Sequence, residues 1–240
     1  MCTIHQIFLK IFGPMANLPR SRIFVFKFEL GIKMEIIKAL KWRYATKRFD
    51  PKRKVSSEKI SIIKEAFNLS PSSYGLQPIR LVIVENQELK YQLMQYGMGQ
   101  KQIATASHVL VLCVETVIDE QYVRDHFERE KNIRDTPDEI LAPYRTYLIR
   151  HFEEKDTDFT KQWALNQAYL ALGTLLTVCA LEEIDACPIE GFEPQKYDEI
   201  LQLKEKNLQS VLVLPIGYRA EDDIFSDFKK VRKPLDDSIL

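Results

Sequence analysis

The spacing of apolar and polar positions along this 240-residue chain becomes regular at Met34. From Glu35 to Tyr44 the apolar residues fall at 36, 37, 40 and 44, the spacing that buries one stripe of a helix. Ser56-Ser57-Glu58-Lys59 then sets hydroxyls where the first free amides of a helix need acceptors, predicting a second helix through Ile60, Ile62, Ile63 and Phe67. Ser70-Pro71-Ser72-Ser73-Tyr74-Gly75 stops that helix in a loop. Leu81–Val84, Val109–Val114 and Val211–Ile216 are apolar runs without polar alternation, which predicts strands covered on both faces. Leu89–Tyr96 reads as a helix between the first two. Residues 119–163 are highly charged yet carry Tyr122, Phe127, Tyr144, Tyr147, Phe152 and Phe159, predicting amphipathic helices with mobile connections. A long buried helix follows from Trp163 to Leu181, then a turn at Pro188-Ile189-Glu190-Gly191 and a polar tail over 225–240. No repeat or low-complexity tract interrupts the pattern. The expectation is an α+β domain over 34–240, with helices covering a small sheet.

Segment 1–33 differs: it holds five basic residues and one acidic one, with apolar patches such as Ile7-Phe8-Leu9 and Ile23-Phe24-Val25-Phe26. It lacks the continuous apolar core and small-residue cleavage site of a secretory signal. A transit peptide is one reading, and a start at Met34 is the simpler one. Either way 1–33 is expected to stand outside the folded domain.

Charge narrows the function. Lys+Arg and Asp+Glu both number 34, so the formal net charge is zero. No overall field draws the chain to nucleic acid or an anionic membrane, and any positive site must be local. Cys2, Cys113, Cys179 and Cys187 form no C-x-x-C pair, and His5, His108, His126 and His151 are scattered, so no metal site is expected. A reduced cytoplasmic protein is the simplest setting for such thiols. The longest apolar stretch, 168–181, is shorter than a bilayer crossing needs.

The glycine-dependent motifs are missing: no G-x-G-x-x-G, no P-loop and no G-x-S-x-G among eight glycines. Four positive features remain. Arg43-Tyr44-Ala45-Thr46-Lys47 puts two cations on one face at the end of the first helix, either to bind phosphate or to complement the helix dipole. Ser70–Pro78 is a hydroxyl-rich, proline-stiffened loop suited to a polar ligand or simply to a helix-strand connection. Pro188–Phe192 carries Gly191, which permits close backbone approach to a flat ligand or serves an ordinary turn. Lys229-Lys230-Val231-Arg232-Lys233-Pro234 is a basic run, taken alone a solvated tail.

Together these features resemble the nitroreductase family of FMN flavoproteins. The resemblance covers 34–240 and rests on R-x-x-x-K, S-P-S-S-x-x-x-Q-P, Ala106-Ser107-His108, P-I-E-G-F, Leu203–Lys206 and K-x-R-x-P at Lys230–Pro234, in family order. It implies a nitroreductase-like mixed β-sheet flanked by helices, in an intertwined homodimer with two FMN sites at the interface. It implies no membrane or nucleic-acid partner.

By position, the resemblance places Arg43, Lys230 and Arg232 on the FMN phosphate and Lys47 at the pyrimidine edge of the ring. Ser72, Ser73 and Gln77 are implied to hydrogen-bond the flavin, partly from the other subunit. Pro188, Ile189, Glu190 and Gly191 would line the isoalloxazine, with the Glu190 amide near N5. Tyr44, Ala45, Gly75 and Gln102 occupy cofactor-contact positions but depart from the family's usual histidine or arginine, serine, asparagine and lysine. The implied activity is a two-step exchange at one site: NAD(P)H gives hydride to the flavin and leaves, then a nitroaromatic, quinone or similar acceptor takes its place. Reduction of free flavin, enones or pteridines, or flavin binding without turnover, are the alternatives. The cofactor carries the chemistry, so no catalytic side chain is nominated.

Overall fold

The computed structural model describes residues 35–239; the expectation for 1–33 lies outside them. The three apolar runs form the strands β1 (Ile79–Val84), β2 (His108–Glu115) and β4 (Leu208–Gly217), and a two-residue strand β3 (Asp185–Ala186) completes the sheet in the order β1-β2-β4-β3. All neighbours run antiparallel, with Ile79 opposite Val114, His108 opposite Ile216 and Asp185 opposite Gly217. The register of β2 against β4 shifts between Leu112 and Cys113. Parallel character enters only as an isolated bridge between Ala45 and Ala186.

Every residue of β2 is buried, which explains its unbroken apolar sequence. Successive side chains point to opposite faces of a sheet. Leu110, Leu112 and Val114 enter one core cluster, while Val109, Val111 and Cys113 enter a second on the other side. The sheet is therefore the middle of three layers.

Eight α-helices cover it among the described residues: α1 (Ile36–Trp42), α2 (Ser57–Asn68), α3 (Gln87–Gln95), α4 (Lys101–Thr105), α5 (Glu120–Arg134), α6 (Asp138–Glu153), α7 (Thr157–Leu181) and α8 (Pro194–Ile200). Four of them start on a side-chain cap, Ser56, Asn86, Asp119 and Asp156, each accepting from the amide three residues on. These caps satisfy amides that have no partner in the helix. Segment 119–163 is helical as its pattern predicts, and its connections, 135–137 and 154–156, are three residues each. Asp135 closes α5 in a left-handed conformation, φ 52°.

Helix α7 begins six residues before its apolar onset, because the Asp156 side chain caps it by accepting from Phe159 N at 2.7 Å. With 25 residues it is long and apolar enough to cross a bilayer by length and composition, which the shorter apolar stretch had not suggested. Its buried side chains, including Ala164, Ala168, Leu172, Leu175 and Cys179, belong to the core under the sheet.

Candidate functional site

Helix α1 ends at Trp42, and Arg43 is already extended at φ −66°, ψ 142°. The expectation that Arg43 and Lys47 share a helix face is thus corrected. The chain leaves the helix because stronger partners hold the following residues. Ala45 bridges Ala186, and Phe49 bridges Arg219. The Arg219 guanidinium lies 4.4 Å from the centre of the Trp42 ring and 4.6 Å from that of Tyr44, a cation–π arrangement. Its charge is answered by the buried Asp185 at 2.6 Å.

Arg43 and the C-terminal run meet across the length of the sequence. Lys230 Nζ donates to the Arg43 carbonyl oxygen. Burial and then the Arg232 charge hold the Arg43 guanidinium below its ordinary pKa. Burial and then Arg43 and Arg232 lower Lys230 in the same way. The Arg43 Nε atom is buried with no hydrogen-bond partner among the described residues. None of the described ion pairs includes Arg43, Lys230 or Arg232. Three mutually repelling cations, one with an unanswered buried donor, make a site that an anion completes. A phosphate, with acceptor oxygens for a guanidinium fork, fits that donor set.

A second group gathers around Cys187. Lys47 Nζ and Gln102 Nε2 each lie 3.9 Å from its Sγ. Burial raises the Cys187 thiol pKa, against the opposing pull of Lys47. The P-I-E-G turn continues from here, tied to β4 where Ile189 N donates to Val213 O at 2.8 Å and Val213 N returns to Ile189 O at 3.0 Å. Beyond that bridge, the Glu190 and Gly191 amides donate to no group among the described residues. Gln100 Nε2 holds the Gly191 carbonyl at 2.9 Å. A Cβ at Gly191 would stand 3.0 Å from Sδ of the exposed Met98 side chain.

The serine loop is elsewhere. Ser72 Oγ accepts from Gln77 N at 2.9 Å, Ser73 N donates to Gln167 Oε1 at 2.8 Å, and Gln77 Nε2 donates to Asn68 O at 2.9 Å. Gly75 takes φ +72°, a conformation that favours glycine over the family's asparagine. Ser73 meets α7 at Gln167, whereas Arg43 lies near the neutral Cys179 thiol on the same helix. Those positions are twelve residues apart, roughly 18 Å along the axis at ~1.5 Å per residue. Within one chain the structure does not bring Ser72, Ser73, Gly75 and Gln77 to the cation cluster. Tyr44 and Ala45 serve the framework: the Tyr44 hydroxyl donates to Asp223 Oδ2 at 2.9 Å, and Ala45 sits in its bridge.

Two residues of this region carry no sequence expectation. Asp223 ends the acidic run Glu221-Asp222-Asp223 yet is buried, and Cys187 is a buried thiol. The adjacency of Cys187 to P-I-E-G was the available signal. A groove of about 870 Å³ lies against β1, with Gln77, Arg80, Tyr122 and His126 among its lining. No cluster of metal-ligating side chains occurs among the described residues.

The fold is that of an α+β protein, and its cation cluster has the donor set a phosphate-bearing ligand would need. Residues 40–218 match the model of the Nitroreductase family. The chain is 32% identical over 213 residues to the oxygen-insensitive NAD(P)H nitroreductase of Enterobacter cloacae, covering 84% of this chain and 97% of that one. Among solved structures, a nitroreductase-like chain from Exiguobacterium sibiricum in complex with FMN aligns with TM-score 0.73 at 22% identity, over 85% of this chain and 96% of that one. A gut-bacterial enone reductase, CLA-ER, aligns with TM-score 0.72 at 20% identity, over 85% and 96%. The chain belongs to the nitroreductase family.

Proposed function

We propose that this protein is an FMN-containing, NAD(P)H-dependent oxidoreductase that reduces nitroaromatics, quinones or similar small acceptors. The observation that carries the proposal is the Arg43–Lys230–Arg232 cluster, with its unanswered Arg43 Nε and without a carboxylate partner. FMN bears a phosphate whose charge is about −1.5 to −2 at pH 7, the complement of that cluster. When bound, FMN supplies hydride exchange between NAD(P)H and an acceptor that occupy one site in turn.

The chain's own residues bind and orient. Arg43, Lys230 and Arg232 hold the phosphate, Arg43 offering the planar fork and Lys230 a point charge. Lys47 and Gln102, gathered at Cys187, face the polar edge of the ring. There the ammonium stabilises negative charge as it develops, without reorganisation at the moment of reaction. The free amides of Glu190 and Gly191 present donors to the ring, and Pro188 and Ile189 set the turn. No side chain is required as acid or base.

Ser72, Ser73, Gly75 and Gln77 come to this site from a second copy, which makes the functional unit a homodimer. An apolar surface supports that reading: Ile36, Ile37 and Leu40 of α1 and Tyr169 and Leu170 of α7 are all exposed in the single chain, although the two helices pack on each other. Residues 34–240 form the FMN-binding domain, with 1–33 outside it. The buried, unpaired Cys113, Cys179 and Cys187 suit a cytoplasmic setting.

Flavin titration tests the assignment. Arg232→Ala should weaken FMN affinity by about tenfold or more, since a hydrogen bond to a charged group is worth roughly 1.5–3 kcal/mol. FMN affinity equal to wild type would contradict the role given to Arg232.

A further inference from the structure

The two halves of the proposed phosphate clamp come from opposite ends of the domain's sequence, and one buried carboxylate joins the segments that carry them. Asp223 is 3% exposed. Its Oδ2 accepts from Tyr44 Oη at 2.9 Å, Lys47 N at 2.9 Å and Arg48 N at 3.1 Å, and its Oδ1 accepts from Phe225 N at 3.2 Å. The first three donors lie in the segment that carries Arg43 and Lys47. The fourth opens the short 3-10 turn Ile224–Asp227, from which the chain runs on to Lys230 and Arg232. On the other side of this joint, Arg48 and Ala220 are linked by backbone too, Ala220 N donating to Arg48 O at 2.9 Å.

We infer that Asp223 is a positioning residue for the phosphate clamp: it fixes the 44–48 segment against the start of the C-terminal run, so that Arg43, Lys230 and Arg232 converge. The inference rests on the FMN reading of that cluster. Among the described residues no hydrogen bond or ion pair joins Asp223 to any of the three cations, so it acts through the segments it ties together. A carboxylate suits the position because four donors converge on it, more than one amide oxygen of asparagine accepts, and hydrogen bonds to a charged acceptor are about twice as strong as neutral ones. Burial alone would raise its pKa, but the Lys47 and Arg48 amides and the Tyr44 hydroxyl outweigh that and hold it below the ordinary carboxylate value.

Charge and positioning predict opposite signs, which makes the inference decidable. Removing a negative charge near three cations should strengthen anion binding if charge were the whole effect. Losing the joint should weaken it. The experiment compares full-length wild type, Asp223→Asn and Tyr44→Phe, each titrated with FMN and with riboflavin, which lacks the phosphate, alongside thermal unfolding. The expected result for Asp223→Asn is an FMN affinity lower by about tenfold, the scale of a charge-assisted hydrogen bond, with riboflavin affinity much less affected. The preference for FMN over riboflavin therefore shrinks. Tyr44→Phe, which removes one donor and leaves the carboxylate, should shift that preference the same way by a smaller factor, and it decides the matter if the asparagine variant does not fold. Tighter FMN binding, unchanged binding, or equal losses for both flavins would overturn the inference while leaving the FMN reading intact. A wild-type protein that does not prefer FMN over riboflavin would overturn both.

Discussion

Arg43 gathers several costs at once: it is half-buried, sits beside two other cations, and leaves its Nε without a partner. Such a group is tolerated where a ligand answers it. Lysine would keep the charge and lose the fork, so Arg43→Lys should lower FMN affinity by roughly tenfold while leaving the unfolding midpoint near wild type. Affinity unchanged by the lysine would mean that only the charge matters. A different residue-scale effect belongs to His108, buried at the start of β2 with its Nδ1 2.9 Å from Ser107 Oγ. Burial, with help from Lys90, Lys54 and Lys64, lowers its pKa, against Glu85. The unfolded chain therefore takes up a proton near pH 6.5 that the folded chain refuses. Stability should fall as pH drops through about 6.5 and below, and urea unfolding of His108→Gln should show a shallower fall over that window. An unchanged slope would remove His108 from the account.

Elements built from long runs were legible in the sequence, because burial on both faces leaves a continuous apolar signature that no local alternative shares. All three expected strands exist, each extended by one or two residues at its ends or, for β4, by three at its start. What stayed hidden was set by distant partners. β3 is two residues long and exists only through its pairing with β4. Helix α1 looked two residues longer because Tyr44 continues its apolar spacing, yet that ring is claimed by Arg219 and its hydroxyl by Asp223. The site divides in the same way. Motifs named Arg43, Lys47, Gln102, Lys230 and Arg232, and the structure places them in two neighbouring groups. No spacing rule reveals that Asp223, in an acidic run, is buried under four donors. Packing between elements also yields a test at Gly97, just after α3. A Cβ there would lie 2.3 Å from Ile103 Cδ1 and 3.0 Å from Tyr197 Oη, and both of those side chains are fully buried. Gly97→Ala should cost roughly 1–3 kcal/mol, the usual penalty for overpacking, read as a lower urea midpoint. A midpoint equal to wild type would show that α4 and α8 yield more easily than their burial implies.

At the scale of the whole molecule, one chain carries the proposed phosphate clamp at one end of α7 and a serine loop on the order of 18 Å away along it. Two copies related by a two-fold axis would bring each clamp to its partner's loop. Subunit mixing tests this arrangement. Arg43→Ala disables the clamp and Ser73→Asp places a carboxylate in the loop, so each variant alone should retain little FMN. Mixed dimers would regain one intact site each, and random mixing should restore FMN binding at about a quarter of all sites. No recovery on mixing would place clamp and loop in the same subunit. Anaerobic titration decides whether this protein holds FMN and exchanges electrons with NAD(P)H. Protein reconstituted with FMN should keep its yellow colour through gel filtration, bleach when NADH or NADPH is added without oxygen, and regain colour when a quinone or nitroaromatic follows. Protein that leaves the column colourless, or yellow protein that neither nucleotide bleaches, would contradict the account.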